Sequence, residues 1–197
     1  MRAALSPATA IRLKAPKVLG KRKDVTVPNL ASLMFLVEEK SANGKTKTLL
    51  LTGDGHHEDI IEGLKHQKKI KADEPLFVDV LKVQHHGSEH NLNREFCKRV
   101  IAEHYIFCGN GGHKNPDLDV VGAIIDSRLS DKHRGNHPQV GEPFKLSFNS
   151  SSSNEETARE NAEHMKKIED LVKTAAAKSN GKLKFFFLKD SFLEFNV

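Results

Sequence analysis

Between residues 47 and 129, short apolar runs alternate with amphipathic stretches, and this alternation restricts the chain to an α/β layer fold. Thr48-Leu-Leu-Leu-Thr52, residues 76–84 and Tyr105-Ile-Phe-Cys108 have the length and composition of strands. Residues 58–70 place Ile60, Ile61 and Leu64 at helical spacing. Asn91 or Asn93 can cap a helix reaching residue 103, with Phe96, Val100 and Ile101 as its apolar stripe. Asn115-Pro116 opens a further helix carrying Val120, Val121, Ile124 and Ile125, with proline at its first position. Upstream, residues 25–39 read as a strand and Ser41-Ala-Asn-Gly-Lys45 as a turn, so 30–39 and 47–52 are expected to form a hairpin.

After residue 129 the pattern loosens. Residues 130–154 are rich in Ser, Asn, His, Gly and Pro and read as a surface loop around a strand at 144–148. A charged helix over 154–179 carries Met165, Ile168, Leu171 and Val172 as a stripe suited to packing on the chain's own sheet. The stretch 130–180 therefore reads as a loop and long-helix insertion in a single domain spanning 1–197. Residues 183–188 and 192–197 read as a terminal hairpin.

A chain of 197 residues, 38% of them hydrophobic, buries a sizeable core. Its net charge of +5 favours an anionic partner, although clusters such as Lys21-Arg22-Lys23 serve equally well as solvated surface. Cys97 and Cys108 are the two cysteines and form no CxxC pair, which excludes a disulfide framework and a zinc ribbon and points to a reducing, cytoplasmic setting. No apolar run approaches the ~20 residues of a membrane span. The first 23 residues carry seven basic side chains and no acid, a superficial likeness to a transit peptide. Their prolines and β-branched residues fit an extended entry strand better.

The chemistry concentrates where strands end. Residues 79–88 run from an apolar strand into His85-His86-Gly87-Ser88, and the preceding strand ends in Gly53-Asp54. Strand ends hold ligands rigidly, and a carboxylate beside neutral imidazoles is a donor set that divalent zinc accepts. Asp54 suits either a bridging ligand or an N-cap of the next helix. In a continuing strand His85 and His86 point to opposite sides, so one of them faces the cavity unless the chain bends. His113, after the glycines that close the next strand, lies at the same edge of the sheet, where α/β folds carry their sites. His56 and His57 are expected on the surface at the start of a helix. Ser88 in a Ser/His/Asp triad lacks the Gly-x-Ser-x-Gly turn that would frame it.

Taken together, Asn29-Leu-Ala-Ser32, Leu50-Leu-Thr-Gly-Asp54, Asp79 to Ser88, and Gly109-Asn110 through His113-Lys-Asn-Pro116 resemble the metallo-β-lactamase superfamily. They are most similar to the branch that contains the hydrolase domain of ComEC/Rec2-type competence proteins. The resemblance covers residues 25–129 and implies the C-terminal half of an αββα sandwich. It implies one or two zinc or manganese ions that activate water for phosphodiester or other ester hydrolysis, with nucleic acid or another anionic substrate. Asp54, His85 and His86 would then be catalytic metal ligands, with His113 on the metal or the substrate, and Ser88 and Asn110 on the substrate side. The family's first ligand cluster, His-x-His-x-Asp-His or His-x-Asp-x-Asp-His, occurs nowhere in the chain. Two expectations follow: a hydrolase whose missing ligands come from a chain carrying the other half, or a non-catalytic binding and assembly module or inactive fragment of the same fold.

Overall fold

A computed structural model describes residues 19–40, 42–71, 74–154, 157–189, 192 and 194. After a short helix α1 (Val27–Leu30), strands β1 (Phe35–Lys40) and β2 (Thr46–Leu51) form the expected hairpin, antiparallel from Phe35 opposite Leu51 to Lys40 opposite Thr46. The strand expected over 25–39 therefore starts ten residues late, because Pro28 sits in the first turn of α1 and commits 27–30 to helix. The rest of the chain alternates: α2 (His57–His66), β3 (Leu76–Lys82), α3 (Arg94–Arg99), β4 (Val100–Phe107), α4 (Leu118–Leu129), β5 (Phe144–Phe148), α5 (Arg159–Lys178) and β6 (Leu183–Phe187). The six strands lie side by side in sequence order, and β2 to β6 are parallel throughout.

Each parallel neighbour is reached through one helix, and crossovers of one hand between adjacent strands, the rule for such units, put the helices on one face. The core confirms that arrangement: Ile60 and Leu64 of α2, Phe96 of α3, Val120 and Ile124 of α4, and Ile168 and Val172 of α5 join Leu50, Leu81, Tyr105, Leu146 and Leu183 in one cluster. Phe107, Phe148 and Phe187 stack in a row across β4, β5 and β6, with ring centroids 4.7 and 4.4 Å apart. On the opposite face Phe35, Val37, Leu51 and Phe186 remain exposed.

The helix expected to run to residue 103 ends at Arg99, and Val100 and Ile101 belong to β4. Two adjacent β-branched apolar residues fit a strand buried on both faces as well as a helical stripe, and pairing with Leu76 and Phe77 decides for the strand. Asn93 caps α3, its Oδ1 accepting from the Phe96 amide at 2.8 Å. In α4, Asp117 rather than Pro116 borders the helix. The 130–180 stretch supplies β5, inside the sheet, and α5, the crossover to β6; Met165, Ile168 and Val172 of α5 are fully buried in this chain's own structure. Of the entry strand expected at the N-terminus, the described part from residue 19 holds a 3-10 turn at Arg22–Asp24 and then α1, while the residues before 19 and most of the second strand of the terminal hairpin lie outside the described residues. Among the described residues no helix is long and apolar enough to cross a membrane.

Candidate metal centre

Asp54, His85, His86 and His113 all follow the C-terminal ends of the parallel strands β2, β3 and β4. β3 stops at Lys82, and residues 84–87 form a tight 3-10 turn in which His85 and His86 adopt φ of +43° and +57°. His113 repeats this after β4 with φ +53°. Left-handed backbone is uncommon for residues with a side chain and concentrates at ligand-holding sites. The turn also undoes the alternation of a continuing strand, which would have sent the two neighbouring imidazoles to opposite sides; their ring centroids are 5.9 Å apart.

Hydrogen bonds fix what each ring offers. Asn91 is fully buried, and its Nδ2 donates to the Asp54 carbonyl at 2.8 Å. Its Oδ1 therefore faces His85 Nδ1, 2.7 Å away, as an acceptor. His85 must carry its proton on Nδ1, leaving a lone pair on Nε2. His86 Nδ1 lies 2.7 Å from the Cys108 carbonyl, which can only accept, so His86 is held in the same tautomer. Metal-binding histidines are held in this way, one ring N–H on an oxygen and the other nitrogen bare. The Asn29 amide approaches His85 Nε2 at 3.4 Å.

Asp54 is half-buried. Its amide donates to Ser32 Oγ at 3.1 Å and its carbonyl accepts from Asn91, while its carboxylate makes no hydrogen bond or ion pair among the described residues. It does not cap α2: His56 holds that position, its side chain accepting from the Glu58 amide. His113 is exposed. Asn110 Oδ1 accepts from the Gly112 amide at 3.1 Å and so shapes the loop before His113. Ser88 is buried, with its Oγ accepting from the His90 amide at 3.3 Å.

Contrary to the expectation of a surface position, His56 and His57 are buried beneath Gly20. With Glu58 they form the one set of three potential ligand atoms within 4.8 Å of one another among the described residues. The hydrogen bonding argues against a metal there. His56 Nδ1 accepts from the Glu58 amide at 3.3 Å, and Nε2 donates to the Gly20 carbonyl at 3.2 Å, so both ring nitrogens are occupied. His57 Nε2 shares that carbonyl at 3.3 Å. Burial, with the neighbouring His56 as a smaller influence, lowers the pKa of His57, which favours a neutral structural pair. In the looser pair, His86 Nε2 has no hydrogen-bond partner among the described residues and His85 Nε2 meets only the Asn29 amide at 3.4 Å.

Sequence reasoning missed Asn91 as the residue that ties the Asp54 loop to His85. Its only signal was its place three residues after Ser88, which also suits a helix cap. No family model matches the chain, and neither does any curated protein or solved structure.

Proposed function

We propose that this chain carries one half of a divalent-metal centre for ester hydrolysis, with a phosphodiester as the preferred substrate class. The observation that carries the reading is the pair of tautomers: His85 and His86 both donate Nδ1–H to an oxygen, which leaves the Nε2 lone pairs as the donor atoms, that of His85 meeting only the long 3.4 Å contact from the Asn29 amide, with Asp54 following the end of the neighbouring strand β2. Neutral imidazole and carboxylate form a donor set that suits zinc and admits manganese. A bound ion would supply Lewis-acid activation of water.

In this reading His85 and His86 would hold an ion through Nε2 and Asp54 through its carboxylate. Asn91 and the Cys108 carbonyl orient the rings. Exposed His113 meets the substrate or a ligand from the rim. A mononuclear zinc site has four ligands, so another polypeptide completes it and covers it as the second half of the αββα sandwich. The net charge of +5 supports an anionic substrate such as nucleic acid.

The test is the metal content of the purified chain beside an Asp54→Ala control, followed by hydrolysis of a chromogenic phosphodiester with the completing half added. Metal that is lost in Asp54→Ala, with turnover that needs both parts, supports the reading. A chain that neither retains nor binds zinc or manganese under any pairing sinks it. The lack of a His-x-His-x-Asp-His string favours a second reading, a binding module without catalysis, and full metal occupancy with no turnover would select it.

A further inference from the structure

The contact between Asn29 and His85 is long for a hydrogen bond and has the spacing of two ligands on one ion. Asn29 Nδ2 stands 3.4 Å from His85 Nε2. An N–H donor ordinarily approaches its acceptor to ~2.9–3.0 Å. Two ligand atoms that each lie ~2.0–2.1 Å from a tetrahedral ion are ~3.4 Å apart. The His85 nitrogen concerned is the one that keeps its lone pair, because Nδ1 donates to Asn91.

The backbone that carries Asn29 is fixed against the Asp54 turn. After α1 the Ala31 amide donates to the Val27 carbonyl at 3.1 Å and the Ser32 amide to the Asn29 carbonyl at 3.2 Å. Across this turn Ser32 Oγ accepts from the Asp54 amide at 3.1 Å while Asn29 reaches His85. Gly53 makes the approach possible: its φ is +51°, and an added Cβ would stand 2.9 Å from the Leu33 carbonyl oxygen. One turn of chain therefore touches the segments that carry both candidate ligands. The Asn29 side chain itself is lightly held, since among the described residues His85 is its one hydrogen-bond partner and its Oδ1 has none. Rotation about the last side-chain bond exchanges Nδ2 for Oδ1 and turns an acceptor oxygen to the place beside His85 Nε2.

We propose that Asn29 is a ligand of the metal centre, holding the ion through Oδ1 next to His85 Nε2. The inference rests on the metal reading of His85 and Asp54 and adds a neutral amide oxygen to its donors, which widens the set towards manganese. The completing polypeptide then fills the places that Asp54, His85, His86 and Asn29 leave around one or two ions. The alternative role for Asn29, a cover over the His85 lone pair, predicts the opposite sign. A cover competes with the ion, so removing it tightens binding, whereas removing a ligand weakens it.

Calorimetric titrations with zinc and with manganese would compare the native chain with Asn29→Ala, Asn29→Asp and His85→Ala. Asn29→Ala should bind the ion at least ~10-fold more weakly. Asn29→Asp keeps an oxygen at the same reach and should bind at least as tightly as the native chain. Without added metal Asn29→Ala should melt as the native chain does, because one long contact is all it loses, so the weaker binding is not a loss of fold. Affinity that depends on His85 but is equal or tighter in Asn29→Ala overturns this proposal and leaves the metal reading standing, as does an Asn29→Asp variant that binds no tighter than Asn29→Ala. Affinity unchanged in His85→Ala, or a native chain that takes up neither ion, overturns the metal reading and this proposal with it.

Discussion

His85 Nδ1 lies 2.7 Å from Asn91 Oδ1, and the other end of the same amide holds the Asp54 carbonyl at 2.8 Å. One buried side chain therefore sets the tautomer of a candidate ligand and the position of the loop that carries another. Replacing Asn91 by alanine leaves the Asp54 carbonyl without this donor and frees the His85 ring to choose either tautomer. The expected loss is ~1–3 kcal/mol of stability and ~10–100-fold in metal affinity. Zinc titration beside a urea melt separates the two effects. A variant that loses stability while binding metal as before would show that Asn91 only packs.

The left-handed turn makes a second prediction. Gly87 has φ +85°, and an added Cβ would stand 2.8 Å from Pro116 Cβ and 3.0 Å from a Phe107 ring carbon. Both contacts belong to well-packed groups, so Gly87→Ala must displace the turn that carries His85 and His86. The variant should lose ~1–3 kcal/mol of stability and weaken metal binding with it. Native affinity in a chain that has kept its fold would remove the turn from the argument.

Much of this architecture was legible because period and punctuation agreed. The β1–β2 hairpin was signalled by Asn43-Gly44, and α4 by its repeating apolar spacing. The α3–β4 boundary was not, since Val100 and Ile101 satisfy both periods and only pairing with β3 distinguishes them. The burial of His56 and His57 was invisible for another reason. The Gly20 carbonyl that covers them lies 36 and 37 residues away in sequence, and contacts at that range leave no local pattern. The candidate site was legible as a list of ligands, but the tautomers that separate His85 and His86 from the buried pair are set by Asn91 and the Cys108 carbonyl.

His104 makes stability depend on pH. Burial, and to a smaller extent Lys145, lowers its pKa from 6.5 to about 4. In the unfolded chain it returns to the ordinary value, so between these limits the unfolded state binds more protons and stability falls as pH drops. Lowered by burial, His57 acts with the same sign. Denaturation midpoints should therefore decrease steadily from neutral pH towards pH 4. His104→Gln, which can still reach Ser147, should flatten that slope. An unchanged slope would assign the acid sensitivity to other groups.

Arg128 is buried without a carboxylate partner among the described residues, and its guanidinium works as a clamp on main-chain oxygens. Nη1 donates to the Ala102 carbonyl, while Nη2 donates to the Gln139 and Glu142 carbonyls at 2.9 and 3.2 Å. The group also lies 4.9 Å over the Phe144 ring. These bonds fasten the 139–142 loop to β4 at the start of β5. A lysine keeps the charge but is a point donor that cannot span three carbonyls in one plane. Arg128→Lys should therefore cost ~2 kcal/mol, and for a chain of this size the melting temperature should fall by ~4–8 °C. Native stability in Arg128→Lys would mean that charge alone suffices and that the fork geometry contributes nothing.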